Sequence, residues 1–75
     1  MKLTNELKGK NVKINKLNFE DSAILHKLNN IGISENSEIK VLDYDQNNKV
    51  VHLLVYGVEY VLRERDCYNI DVTPI

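Results

Sequence analysis

The side chains best equipped for chemistry in this chain are two histidines, His26 and His52, and one cysteine, Cys67. Imidazole and thiolate are ligands of borderline divalent transition metals. Such a site needs several of them, or carboxylates, brought to one point. No two of the three stand at a ligand spacing such as C-x2-C or H-x3-H. Asp43, Asp45, Asp66 and Asp71 are further oxygen donors, but nothing in their order makes them converge. Two readings of the trio stand: a divalent-metal site, or surface histidines with a cysteine packed as a small hydrophobe. A cysteine and two histidines also contain the parts of a nucleophile and its base. Seventy-five residues hardly wall off a pocket of ordinary size, and no glycine-rich phosphate loop is present. The chain reads as a protein that is not an enzyme.

The aromatic residues are Phe19, Tyr44, Tyr56, Tyr60 and Tyr68. Small β-barrels use such side chains to bind extended peptides or single-stranded nucleic acid. Tyr44, Tyr56 and Tyr68 fall near turns and are the candidates for binding a partner; otherwise they cap the barrel, half-buried. Tyr60 reads as core by strand parity. A nucleic-acid interface also needs a basic surface. Ten Lys and Arg against eleven Asp and Glu, a net charge of −1, argue against one. Lys8, Lys10, Lys13 and Lys16 gather near the start and read as a solvated face.

The elements that must carry these residues follow from hydrophobic period. An apolar fraction of 43% suits a single small globular domain over residues 1–75. No stretch approaches the ~18 apolar residues of a membrane span, and "MKLTNELKGK" lacks the apolar centre of a signal peptide. One cysteine allows no internal disulfide, which fits a reducing compartment. The expectation is a cytoplasmic protein without direct membrane insertion. Leu3 and Leu7 can form a short turn that packs on the body or frays.

"NVKINKL" alternates around Val12 and Ile14 as a first strand, with Gly9 turning ahead of it. In "EDSAILHKLNNIG", Ile24, Leu28 and Ile31 share a helical face with Leu25 beside them, and Asp21 or Ser22 caps the start. Gly32 then serves as the left-handed C′ residue of the helix. Leu28 and Ile33 meet across it as the apolar pair of a Schellman motif. "SEIKVLDY" alternates again around Ile39 and Val41. "DQNNK" is turn-forming, and "VVHLLVY" is a nearly apolar strand that sets His52 outward. Tyr56-Gly57 makes a tight turn, with Gly57 supplying the positive φ. "VEYVLRE" places Val58, Tyr60 and Leu62 on one face, "RDCYN" is a helical turn, and "NIDV" is a last strand. Leu28 and Leu62 are expected in the core. The fold class is mainly β: a small SH3-like barrel of about five strands, one helix between strands one and two, and a short helical turn before the last strand.

"LKGKNVKI", "LNNIGI" and "VEYVLRERDCYNIDV", in this order, resemble the FeoA family of ferrous-iron transport proteins, small SH3-like barrels. The family's Leu-Gly step after the helix corresponds to Ile31-Gly32. Its closing pattern corresponds to Leu62, Arg63, Cys67, Ile70 and Val72. Glu35-Asn36 stand where the family often has Pro-Gly, and Asn36 tolerates a positive φ best among non-glycine residues. Cys67 replaces a frequent alanine, and Asn47-Asn48 replace glycine in the turn between strands two and three. The resemblance implies an accessory protein of ferrous iron uptake. It would bind and regulate the cytoplasmic part of a FeoB-like membrane permease, recruited to the inner face of the membrane. The alternatives are a regulator or carrier that itself binds Fe(II) through residues such as His26, His52 and Cys67, and, trailing, a nucleic-acid-binding small barrel. The same module occurs in metal-dependent repressors, but this chain has no DNA-binding portion.

Overall fold

Alternation in the first strand, β1 (Asn11–Leu17), buries Val12 and Ile14 and leaves Lys13 between them in water. The computed structural model describes residues 1–75. After β1 come the helix α1 (Ser22–Asn30), β2 (Glu38–Asp45), β3 (Val50–Val55), β4 (Val58–Arg63), a single helical turn α2 (Glu64–Cys67) and β5 (Ile70–Pro74). The five strands form one antiparallel sheet in the order β4-β3-β2-β1-β5, curled around a core that includes Ile14, Ile33, Val41, Leu53 and Ile70. Leu3 and Leu7 join this core, Leu3 just before a 3-10 turn at Asn5–Leu7 and Leu7 as its last residue.

Side-chain capping starts α1, with Asp21 accepting from the Ala23 N–H at 2.9 Å. A Schellman motif ends it. The Ile33 N–H donates to the Leu28 carbonyl at 2.9 Å and the Gly32 N–H to the Asn29 carbonyl at 3.1 Å, with Gly32 at φ +94°. Leu28 is buried, whereas Ile24, Leu25 and Ile31 are only half-buried. Asn36 (φ +71°) turns the chain into β2. Tyr56 (φ +48°) and Gly57 (φ +80°) close the β3–β4 hairpin with both central residues left-handed, as a type I′ turn requires. In the β2–β3 turn the left-handed residue is Lys49 (φ +57°), not Asn47 or Asn48; Asn48 instead bonds the Asp45 carboxylate through its N–H and its amide.

Two bulges depart from simple alternation. One lies between Ile14 and Lys16 against β5; the other lies between Val41 and Asp43 against β3. Each inserts a residue and exchanges the faces of the strand residues beyond it. Leu62 and Tyr60 share the inward face of β4 but are only half-buried, because β4 is the last strand of the sheet and the core ends there.

Candidate interaction groove

The bulge in β2 sets the position of Tyr44. Ile39 and Val41 point inward, so unbroken alternation would turn Tyr44 outward. The extra residue reverses this. Tyr44 pairs with Val51 on the core face and is 9% exposed. Asp43 stabilises the bulge by accepting the Tyr44 N–H at 2.9 Å. It also pairs with Lys8 at 3.1 Å, and that lysine is the main reason its carboxyl stays below the usual carboxylate range.

Tyr68 is 46% exposed at the end of α2, and its hydroxyl donates to Glu64 Oε1 at 2.9 Å. Burial, and then the neighbouring Glu64 carboxylate, push the Tyr44 hydroxyl well above its ordinary value; the hydrogen bond to Glu64 does most to raise that of Tyr68. Both phenols therefore stay neutral, and that of Tyr68 donates. Around this corner the β2–β3 turn and the β4–α2 junction enclose an open groove of about 520 Å³. The Glu64 N–H, donating to the Lys49 carbonyl at 2.9 Å, ties its two walls together. Lys49, Arg63 and Arg65 line it with Tyr68, and Glu64 is its single acid. None of the three cations is held in an ion pair. A groove with surplus positive charge and a half-exposed phenol suits an acidic segment of another protein.

The three tyrosines do not form one patch. Tyr44 and Tyr68 flank Glu64, whereas Tyr56, 79% exposed, sits at the opposite end of β3 with its ring against Gly32. The two histidines and the cysteine, on α1, β3 and α2, likewise do not gather at one point. His26 is exposed. His52 Nδ1 lies 3.0 Å from Glu59 Oε2 across the β3–β4 pair. Cys67 is 0% exposed, and burial pushes its thiol up to about 12, the reverse of what a thiolate ligand or nucleophile needs. No three His, Cys, Asp or Glu side chains are gathered around a point that could hold a metal ion. Residue type and spacing do not single out Lys49, Arg63 and Arg65; the available signal is the pair of cations flanking Glu64, close to an aromatic.

A five-stranded antiparallel sheet curled on one small core is a small SH3-like β domain, here with a charged groove at one corner. Residues 1–74 match the FeoA domain, and the chain belongs to the FeoA family. The solution structure of the FeoA protein from Chlorobium tepidum shares its fold at a TM-score of 0.85 and 18% identity, covering 100% of this chain and 70% of that one. The solution structure of iron(II) transport protein A from Clostridium thermocellum gives 0.86 and 21%, covering 100% of this chain and 46% of that one. The metal-dependent transcriptional regulator MtsR contains a similar fold, with a TM-score of 0.78 and 15% identity over 91% of this chain and 31% of its own length. No curated protein sequence matches the chain. Family membership implies a role in ferrous iron transport systems, as a small accessory domain of a family not known for catalysis. No helix is long and apolar enough to cross a membrane.

Proposed function

We propose that this chain is the accessory component of a ferrous iron uptake system and binds the cytoplasmic part of a FeoB-like permease through the Lys49–Arg65–Tyr68 groove. The observation that carries this reading is the set of unpaired cations around a half-exposed tyrosine, next to no assembled ligand set or activated nucleophile. Tyr44 acts from the core, bracing the Glu64–Tyr68 corner. Tyr56 lies outside the groove. The alternative in which the domain itself takes up Fe(II) would have to draw His26, His52 and Cys67 from three separate elements.

Co-purification with the permease tests this. A Lys49→Glu, Arg65→Glu variant and a Tyr68→Ala variant stay folded and lose the permease, while Tyr56→Ala keeps it. Retention by both groove variants would place the interface elsewhere, and loss with Tyr56→Ala alone would move it to the β3–β4 hairpin.

A further inference from the structure

The two edges of the sheet are treated differently. The outer side of β5 is closed by the N-terminal residues: the Val72 N–H donates to the Met1 carbonyl at 2.6 Å and the Leu3 N–H to the Ile70 carbonyl at 3.3 Å. The Met1 ammonium adds an ion pair with Asp71 at 2.8 Å. The outer side of β4 has no such cover. Its pairing with β3 runs in unbroken register from Val55–Val58 to Val50–Arg63, with no bulge and no proline to blunt the edge.

Which backbone groups lie open follows from the ladder. The Glu64 N–H bonds the Lys49 carbonyl, so the Val50–Arg63 pair beside it is of the non-hydrogen-bonded kind. By alternation the Glu59–Leu54 and Val61–His52 pairs are of the same kind. The N–H and C=O groups of Glu59, Val61 and Arg63 therefore face away from the sheet.

We propose that β4 pairs antiparallel with β4 of a second copy of this chain, with Val61 opposite Val61 on the two-fold axis. Only this register sets all three open residues against open residues, giving about six new backbone hydrogen bonds. It places Glu59 of each copy opposite Arg63 of the other, so opposite charges meet twice. It also sets Tyr60 opposite Leu62 on the inward face, where each is half-buried in the single chain. Val61, 53% exposed, loses its water against its own copy. Shifting the register by one pair toward either end removes the charge match and leaves one open residue unpaired. Glu59 already holds His52 through one oxygen and keeps the other for the incoming guanidinium, and Arg63 has no carboxylate partner within its own chain. One strand per copy is a small interface, so the dimer is weak. Arg63 also lines the groove, so self-pairing and an acidic partner draw on the same charge.

The test is sedimentation equilibrium of the purified chain from about 10 µM to 1 mM, with amide exchange measured by NMR at both ends. Association is expected, with amides of Glu59, Val61 and Arg63 slowing as concentration rises, while those of Tyr60 and Leu62, already bonded to β3, do not change. Arg63→Glu and Glu59→Arg singly, and Val61→Lys, each weaken the dimer about tenfold or more, because like charges then stand opposite one another. The double variant Glu59→Arg, Arg63→Glu restores the opposite pairs and recovers association. A chain that stays monomeric at about 1 mM overturns the proposal. So does a dimer indifferent to the charge reversals, or one whose protected amides lie on another element. Binding of an unrelated extended peptide along β4 without any self-association would assign the edge to a different protein and also overturn it.

Discussion

Replacing Gly32 by alanine tests the junction between α1 and the β3–β4 hairpin. The backbone at Gly32 has φ +94°, a region that a Cβ disfavours by roughly 1–2 kcal/mol. The added methyl would also lie 2.8 Å from both Cδ2 and Cε2 of Tyr56 and 3.2 Å from Val55 Cγ1. Overpacking costs typically about 1–3 kcal/mol. The low end applies, since the Tyr56 ring is largely in solvent and can swing aside, while Val55 is buried and cannot. Gly32→Ala should therefore destabilise by about 2–3 kcal/mol, a large share of the ~4–11 kcal/mol expected for a domain of this size. A drop in Tm of about 10–20 °C would follow. Gly9→Ala is the control: its φ is +79°, but nothing lies within 4 Å of the added methyl, so only the backbone component of about 1–2 kcal/mol remains. Urea unfolding with unchanged m-value measures both. In a Tyr56→Asn background, which removes the ring and tolerates φ +48°, Gly32→Ala should cost about 1 kcal/mol less. Equal costs at Gly9 and Gly32, with no coupling to Tyr56, would refute the close approach of hairpin and helix end. A stabilising Gly32→Ala would refute the cap itself.

Leu28→Ala should cost about 2–5 kcal/mol in the same assay, whereas Leu62→Ala should cost under about 2 kcal/mol, since Leu62 stands half-buried at the edge of the core; the reverse order would mean that β4 is covered. Cys67 gives a pH dependence. Its thiol is raised from about 9 to about 12 in the folded chain, so the unfolded chain loses this proton first as pH rises. The contribution is fully present below pH 9 and falls progressively toward pH 12, by up to about 4 kcal/mol. A Cys67→Ala variant should lack this alkaline loss, and rapid thiol labelling of the native protein at pH 8 would contradict the burial. The isolated, reduced chain should bind Fe(II) no more tightly than about the high-micromolar range in anaerobic calorimetry, since His26, His52 and Cys67 stand on separate elements. Low-micromolar binding abolished by His26→Ala, His52→Ala, Cys67→Ser would favour a sensor or carrier over the proposed interaction domain; binding that survives would direct attention to Asp43, Asp45, Asp66 and Asp71.

Much of this molecule is written in neighbours a few residues apart. The Asp21 cap, the Leu28–Gly32–Ile33 motif, the left-handed Asn36 and the Tyr56-Gly57 turn are local, so residue type and spacing suffice to place them. The strands β1 and β3 are legible for the same reason, because Val12 and Ile14, and Val51, Leu53 and Val55, keep period two. Three features are decided only by the tertiary structure. An inserted residue in β2 carries Tyr44 from the solvent face to the core, and hydrophobic period cannot register an insertion whose cause is the pairing strand. The Tyr56 ring meets Gly32 only because the hairpin folds back over the end of α1, bringing together residues 24 positions apart. The groove likewise joins Lys49 to Arg65 and Tyr68 through the β3–β4 pairing. Sequence order contains all of these side chains but not their convergence, because the distance between remote residues is set by strand register, and register is fixed by which faces the whole core can bury.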